Sequence, residues 1–294
     1  MRSLICACIL LILTACSGPD APLRVGTNLW PGYEPLYVAR ELGALDPAQV
    51  KLVELSSASQ VMRALQNGEL DAAALTLDEA IRLASQGVDL SVALILDEST
   101  GSDAVLAHAP LTDLSQLRGK RVILEPGSVG ELMLEGLLKQ AGLQAGDIKR
   151  VYRTANEHAR AFLNREGDIL ITFEPMVSQL VHRGKAVIFD SRALPGQILD
   201  VLVVRNDRIA THQAALAQLT QGWFQAVTLF ETQPDKALAL ANHRLKAADA
   251  DLRAMYAGLR LGTPALQSRL NRQWPLTLAR LTLPDPAGMP EARL

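Results

Sequence analysis

The sequence predicts an α/β protein of two lobes, each a mostly parallel sheet flanked by helices, with two crossover strands that join the lobes as a hinge. Short apolar strands alternate with helical segments from residue 23 onward, and this alternation is typical of parallel βαβ units. The alternation breaks at residues 97–102, where one strand follows another without a helix, so we expect the chain to cross into the second lobe there. The pattern of residues 57–76 returns in residues 155–175, which indicates a duplicated lobe.

Length and composition set the scale of the fold and exclude one class of partner. The chain has 294 residues, of which 49% are hydrophobic and 20% are charged, so we expect it to bury a large core. Its formal net charge is −2, and no basic field points to nucleic acid. Only 4% of the residues are aromatic, which makes an adjacent Trp and Tyr in one loop more informative than usual.

Residues 1–15 predict a signal peptide. One arginine lies near the start, and the apolar segment 4–13 is too short to span a bilayer. The ending LTAC resembles a bacterial lipobox, in which Cys16 takes a lipid and becomes the first mature residue; an ordinary secretory signal with a spare cysteine is the alternative. We expect residues 16–22 to form a short flexible tether, so that the protein is anchored to the membrane without spanning it.

The composition of the mature domain argues against catalysis. All three cysteines, Cys6, Cys8 and Cys16, lie in or at the edge of the signal segment, so a disulfide framework, a cysteine metal ligand and a cysteine nucleophile are excluded downstream. The sequence also lacks a GxSxG elbow, a P-loop and an HExxH motif. We therefore expect no enzyme activity, no cofactor and no metal. The histidines are expected on solvated surface at His108, His158, His182, His212 and His243.

The first lobe is predicted from residues 23–100. We expect strands at residues 23–27, 49–55, 71–76 and 90–96, with helices at residues 34–43, 57–68 and 78–86. Ser57 and Ser59 both suit the N-cap of the second helix, because their hydroxyls can accept from its free backbone N–H groups.

The second lobe is predicted from residues 101–207. We expect strands at residues 103–109, 121–125, 149–153, 168–173 and 186–189, with helices at residues 131–140, 156–165 and 176–182. The apolar strand 198–205 is interpreted as the return crossover. Residues 208–294 are assigned to the first lobe as C-terminal helices and a tail, with helices at residues 210–230, 235–246, 249–258 and 264–274 and a loosely ordered tail after them.

Two loops at strand ends are the first candidates for ligand contact. The loop of residues 28–33 carries Trp30 and Tyr33 beside a Pro-Gly pair, at the point where a strand passes to a helix. The turn of residues 125–130 places glycines and Ser128 at the start of a helix, where backbone N–H groups favour negative charge. Both positions match the crevice at the carboxyl ends of strands in open α/β sheets.

Further candidates come from the repeated pattern and from acidic residues in apolar surroundings. Thr76 and Thr172 end equivalent strands in the two halves, so we expect both at the cleft. Glu174 precedes a proline and Asp200 lies inside an apolar strand, and a carboxylate in a buried run needs a partner. Glu34 begins a helix, where a carboxylate favours the helix dipole without any ligand.

The order of these segments resembles solute-binding lipoproteins of ABC importers, in the nitrate, sulfonate and taurine branch. The resemblance covers about residues 23–274, and its segments are the LTAC signal ending, RVGTNLWPGYEPLYVARELG, SSASQVMRALQNGELDAAALT, EPGSVGELML, ITFEP and ILDVLVVRND. It implies a periplasmic-binding-protein-like fold of type II that closes on a small solute. The site that it implies consists of Trp30, Tyr33, Ser59, Thr76, Ser128, Val129 and Gly130, with Thr172, Glu174 and Asp200 facing the cleft by the same logic.

The resemblance implies a monomeric, lipid-anchored receptor of the periplasm or cell envelope. Its partners would be a small solute and the permease and ATPase of the importer. Two alternatives remain open: a biosynthetic enzyme on the same fold, of the thiamine-pyrimidine or menaquinone-pathway type, and a ligand-sensing partner of a membrane signalling protein. The pyrimidine synthases use a Cys-rich iron-binding motif, which the mature chain lacks.

The charge of the solute is not decided by the sequence. The candidate loops contain no Arg or Lys, and Glu34, Glu125, Glu174 and Asp200 lie nearby, which favours a cationic or hydrogen-bond-donating solute. The helix turn at Ser128 favours an anion. A zwitterion would satisfy both.

Overall fold

The computed structural model describes residues 21–273, with side chains described as far as residue 269. The predicted signal peptide, the lipidated Cys16, most of the tether and the predicted tail therefore lie outside the described residues. Within the described range, no helix combines the length and apolar character that crossing a membrane requires.

Strands and helices alternate much as the sequence predicts. In chain order the strands are β1 (Leu23–Thr27), β2 (Val50–Glu54), β3 (Ala72–Thr76), β4 (Leu90–Ser99), β5 (Asp103–Ala107), β6 (Arg121–Leu124), β7 (Lys149–Tyr152), β8 (Ile169–Phe173), β9 (Ala186–Asp190), β10 (Leu199–Arg205) and β11 (Leu259–Leu261). The helices are α1 (Glu34–Glu41), α2 (Ala58–Gln66), α3 (Leu77–Ser85), α4 (Val129–Ala141), α5 (His158–Leu163), α6 (Met176–Val181), α7 (Asn206–Ile209), α8 (Gln213–Thr232), α9 (Pro234–Leu245), α10 (Asp249–Ala257) and α11 (Pro264–Gln273).

The strands form two separate sheets, one for each predicted lobe. The first sheet has the order β11-β4-β10-β3-β1-β2, and the second has the order β7-β6-β8-β5-β9. In the first sheet β1 to β4 run in one direction and β10 and β11 run opposite to them; in the second sheet only β5 is reversed. The predicted two-lobed α/β fold with mostly parallel sheets is confirmed.

One boundary of the predicted division is wrong. Residues 199–205, which the sequence assigned to the second lobe, form β10 in the middle of the first sheet. β10 pairs antiparallel with β3 on one side and with β4 on the other, so its apolar residues are buried by the first lobe. β11 was not predicted; its three residues extend the sheet by pairing with the last residues of β4.

The two connections between the sheets lie side by side. The Ser99 and Ser191 hydroxyls, both fully buried, are 2.9 Å apart, and Gly101 N donates to Ser191 Oγ at 2.6 Å. Ser99 N also donates to Ile198 O at 3.0 Å. These hydrogen bonds tie the outgoing segment to the returning one, which is the arrangement that the sequence predicted for the crossover strands.

The C-terminal helices cover the first sheet, as their apolar spacing predicts. α8 packs against α1 and α9, and the indole of Trp223 is fully buried among them. Trp223 Nε1 donates to the Gly262 carbonyl at 3.0 Å, which satisfies the only polar atom of the ring. On the other face of the sheet, Ser57 is the N-cap of α2, because its hydroxyl accepts from Gln60 N.

Candidate functional site

The candidate site lies where one edge of each sheet meets the other lobe. The loops after β1, β3, β6 and β8 leave the carboxyl ends of parallel strands. Because β5 and β10 run antiparallel to their neighbours, their first residues lie at the same edges, with Asp103 opposite Phe173 and Asp200 opposite Thr76. Backbone direction alone therefore brings Asp103 and Asp200 to the cleft.

Two carboxylates reach from one lobe to a helix of the other. Glu125 Oε1, at the end of β6, accepts from Ser59 N in the first turn of α2 at 2.9 Å. Glu79 Oε1, in α3, accepts from Val129 N at the start of α4 at 3.3 Å, and its Oε2 accepts from Thr76 N at 3.0 Å. Each lobe thus places a carboxyl group of its own at the N-terminal end of a helix on the other lobe.

The aromatic loop after β1 holds two aspartates. Trp30 Nε1 donates to Asp97 Oδ2 at 3.2 Å, and the Tyr33 hydroxyl donates to Asp200 Oδ1 at 2.5 Å. The Trp30 ring also meets the Phe173 ring of the second sheet edge-on, with centroids 5.7 Å apart. Gly32 is required between the two aromatic residues, because a Cβ there would overlap the Asp97 carboxylate. The structure therefore brings the predicted residues Trp30, Tyr33 and Asp200 together.

Five buried carboxyl groups form the floor of the cleft; we call them the acid cluster. Its members are Glu79, Asp97, Asp103, Glu125 and Asp200, each no more than 4% exposed. Asp103 Oδ2 and Glu125 Oε2 have no hydrogen-bond partner within the described chain, whereas Asp97 and Asp200 interact with each other through a side-chain hydrogen bond. Among residues 21–269, no Arg or Lys forms an ion pair with any member.

Burial is the main reason that Glu79, Asp97, Asp103 and Asp200 hold protons. It raises the pKa of Asp97 and of Asp103 to about 7 and that of Glu79 to about 8. The pKa of Asp200 is raised well above its ordinary value, first by burial and then by the neighbouring Asp97 charge. The folded chain therefore retains protons at neutral pH that an unfolded chain releases near pH 4.

The free energy of unfolding of the ligand-free chain is expected to fall as the pH rises from 6.5 to 8. A carboxyl group whose pKa is raised by folding stabilises the fold below its unfolded pKa, and this contribution is lost as the pH passes the folded pKa. One retained proton gives a slope of about 1.4 kcal/mol per pH unit, so at least that slope is expected. His158 opposes it only near pH 6.5, because burial lowers its folded pKa to about 4 while an unfolded histidine, with a pKa of about 6.5, still binds part of a proton there.

Urea unfolding at pH 6.5, 7.2 and 8 measures this slope. Asp97→Asn is expected to flatten it, because the amide cannot release the proton. Asp168→Asn is the matched control, since Asp168 is half-exposed and paired with Arg121. A free energy of unfolding that stays level or increases toward pH 8 would contradict the assignment of protons to the acid cluster.

On the second-lobe side, a buried histidine supports Thr172. His158 Nε2 lies 3.1 Å from the Arg153 carbonyl, and His158 Nδ1 lies 3.1 Å from Thr172 Oγ1. The expectation that His158 lies on solvated surface is wrong, because the residue is 1% exposed. It is the first residue of α5, and this short helix packs on β8, so the ring points inward.

The turn before α4 uses its polar groups within itself. Ser128 is the N-cap of α4: its Oγ accepts from Gly130 N at 3.4 Å and donates to the Glu125 carbonyl at 3.2 Å. Gly130 packs closely on the preceding strand, where a Cβ would lie 3.3 Å from Leu124 Cβ. The predicted residues Ser128, Val129 and Gly130 thus lie at the cleft, but their donors are already committed.

Two acidic residues considered at the sequence level face other partners. Both Glu174 carboxylate oxygens accept from Ser178, one from its N at 3.0 Å and the other from its Oγ at 2.8 Å, so Glu174 serves the start of α6. Glu34 pairs with Arg244 of α9, whose guanidinium also lies 3.3 Å from the centroid of the Tyr37 ring. Glu34 therefore belongs to the packing of α1 against α9.

Sequence reasoning missed Asp97, Asp103 and Glu79 as site residues. A usable signal existed, because Asp97 follows the apolar part of β4 and Asp103 opens the fully buried β5. The rule that a carboxylate in a buried run needs a partner, applied to Asp200, applies equally to these two. Glu79 had no such signal, since an acidic residue in the first turn of a helix is common.

The chain is similar to known proteins in sequence and in fold. A family model described as the NMT1-like family matches residues 17–245. The taurine-binding periplasmic protein of Escherichia coli is 26% identical over 201 residues, which is 67% of this chain and 61% of that protein's own length.

Two solved structures show the same fold. The alkanesulfonate-binding protein SsuA of Xanthomonas axonopodis pv. citri, bound to MOPS, superposes with a TM-score of 0.73 at 19% identity and covers 92% of this chain and 96% of its own. The nitrate-binding protein NrtA of Synechocystis PCC 6803 superposes with a TM-score of 0.67 at 14% identity, over 80% of this chain and 69% of its own. At these identities the structural likeness concerns the fold.

Proposed function

This chain belongs to the NMT1-like family, and we propose that it is the extracytoplasmic solute-binding component of an ABC importer. The observation that carries the proposal is the cleft itself. Aromatic and carboxyl groups from both sheets converge there, and two buried carboxyl oxygens, Asp103 Oδ2 and Glu125 Oε2, have no partner within the described chain. Such oxygens are costly to bury, which favours a ligand as their missing partner.

The hinge supports a receptor that closes on its solute. The two crossover segments are hydrogen-bonded through Ser99 and Ser191, and they are the connections between the sheets. Rotation about such a pair opens and closes a cleft without disturbing either core. Glu79 and Glu125, which bridge the lobes, would break and re-form their bonds to α4 and α2 during this motion.

The remaining parts of the proposal concern the surroundings of the receptor. Cys16 carries the lipid, residues 16–22 form the tether, and the closed receptor delivers the solute to a membrane permease driven by its ATPase. The E. coli relative named as a taurine-binding periplasmic protein supports the class of solute and the compartment. In the described part of the chain, His158 is the one buried histidine of the cleft, and both of its ring nitrogens are hydrogen-bonded within the protein. This agrees with a protein that binds its solute without catalysing a reaction.

Calorimetric titration of the purified chain tests the function. We expect at least one compound among taurine, ethanesulfonate, nitrate and ethanolamine to bind with a Kd of about 1 μM or below, equivalent to about 8 kcal/mol. Tyr33→Phe is expected to weaken that binding several-fold, because Asp200 loses its hydroxyl partner. Tyr152→Phe is the matched control, since Tyr152 is 47% exposed on the edge strand β7.

Two results would contradict the proposal. One is the absence of both binding heat and thermal stabilisation with every compound. The other is unchanged uptake of the bound solute in cells that lack the chain.

A further inference from the structure

A small cavity lies in the second-lobe wall of the cleft; we call it the second-lobe cavity. It is lined by Asp103, Glu125, Ser128, His158, Thr172 and Phe173, among others. Its volume is about 10 Å³, which is room for one group the size of a water molecule. An ammonium group has that size.

Three donors at the start of α4 are already used. Val129 N donates to Glu79 Oε1 and Gly130 N donates to Ser128 Oγ. The Ser128 hydroxyl in turn donates to the Glu125 carbonyl at 3.2 Å. None of these three donors is free for a ligand in the cavity.

The histidine and the threonine are used in the same way, and their orientation follows from their partners. A backbone carbonyl can only accept, so His158 Nε2 must carry the hydrogen that faces the Arg153 carbonyl. The ring is neutral because burial lowers its pKa to about 4, so His158 Nδ1 is an acceptor. The Thr172 hydroxyl must then donate its only hydrogen to Nδ1, and it turns its remaining lone pair toward the cavity.

Two carboxyl oxygens complete the lining and have no partner. Asp103 Oδ2 and Glu125 Oε2 belong to residues that are 3% and 1% exposed, and neither atom accepts a hydrogen bond within the described chain. Neither residue forms an ion pair with Arg or Lys among residues 21–269. At pH 8 Asp103 is ionised, because its pKa is about 7, and the side chains of the cavity then present acceptors only, so that a group bound there must supply the donors.

We propose that the second-lobe cavity is the recognition site for a protonated amine of the transported solute. Asp103, Glu125 and the lone pair of Thr172 are three acceptors for the three N–H groups of an ammonium. This inference rests on the proposed function, because it names the solute class of that same cleft.

The two helix N-termini give an independent reason why an anionic group alone would not suffice. Glu125 fills the first turn of α2 and Glu79 fills the start of α4. A sulfonate would have to displace one of these carboxylates to reach the backbone donors, and the displaced carboxylate would lose its partner. An ammonium group needs no such exchange. A zwitterion would bind through its amine first.

Pairs of compounds that differ only in the amine test the proposal. Taurine and isethionate share the same two-carbon sulfonate and differ in an ammonium against a hydroxyl; ethanolamine and ethylene glycol form the same pair without the sulfonate. By calorimetry at pH 8, the amine of at least one pair is expected to bind at least tenfold more tightly than its hydroxyl analogue. The purified full chain is used throughout.

Substitutions in the second-lobe cavity test whether the preference for amines arises there. Asp103→Asn and Thr172→Val are close in shape to the native side chains, and each is expected to reduce the amine-to-hydroxyl ratio at least fivefold. Asp168→Asn removes a carboxylate of the same lobe that is paired with Arg121 and is expected to leave the ratio unchanged. Near-ultraviolet circular dichroism shows whether each variant is folded, and Thr172→Val decides the question if Asp103→Asn is not.

The outcomes separate this inference from the proposed function. Binding of isethionate, ethanesulfonate or nitrate equal to or tighter than that of every amine would overturn the amine site and leave the receptor function standing. An amine preference that survives in both variants would overturn the placement in the second-lobe cavity. No binding by any compound would overturn both.

Discussion

Trp30→Ala is expected to weaken solute binding at least tenfold, or by about 1.4 kcal/mol. The Trp30 ring is 4% exposed and meets Phe173 of the other sheet, so its removal opens a gap between the closed lobes. The substitution also removes the N–H that Asp97 Oδ2 accepts, which leaves this buried carboxyl oxygen without its donor. Calorimetric titration with the best solute measures the loss.

Trp30→Phe separates the two contributions. Phenylalanine keeps an aromatic ring against Phe173 but cannot donate to Asp97. If packing dominates, the loss with phenylalanine is small; if the hydrogen bond dominates, phenylalanine and alanine are alike. Native affinity in the alanine variant would show that Trp30 is a core residue outside the binding site.

Trp223→Ala is expected to have the largest effect on stability, a decrease of about 3–5 kcal/mol in the free energy of unfolding. Trp223 is fully buried between α8 and the first sheet, and its removal leaves a large cavity and takes from the Gly262 carbonyl one of its two donors, the other being Gln267 Nε2 at 3.3 Å. Urea unfolding of the ligand-free chain measures the change. We expect the variant molecules that remain folded to keep the same solute preference. The hydrogen bond of the Trp223 ring goes to Gly262, which is not a residue of the cleft.

Phe224→Ala is the matched control, one residue along α8. Phe224 is only partly buried at the margin of the same core, so its loss is expected to cost clearly less than that of Trp223. Equal losses for the two variants would mean that α8 does not dock on the sheet as described.

Much of the fold was predictable because its signals are local. β1 and β3 are short apolar strands that alternate with helices, and helix caps such as Ser57 can be recognised from the sequence. β10 was assigned to the wrong lobe because the sequence of an apolar strand does not show which strands it will pair with. β11 has only three residues, and its pairing with the end of β4 is visible only once the chain has folded.

The site was predictable where an unusual residue type stood in a loop at a strand end. Trp30, Tyr33 and Asp200 were found in this way, and the structure joins them through the Tyr33 hydroxyl. Glu174 has the same sequence signal, but its carboxylate is taken by Ser178 of its own helix. A buried acidic residue needs a partner, and the sequence does not say whether that partner is local or a ligand.

The sequence by itself determined the two-lobed α/β fold, the aromatic loop after β1 and the absence of cysteine chemistry from the mature domain. These properties depend on composition and on periodicity within one segment. Only the tertiary structure decided that Asp97, Asp103 and Asp200 share one cleft and that His158 turns the Thr172 hydrogen away from it. Strand direction and register set which distant residues meet, and the direction of a hydrogen bond depends on both of its partners.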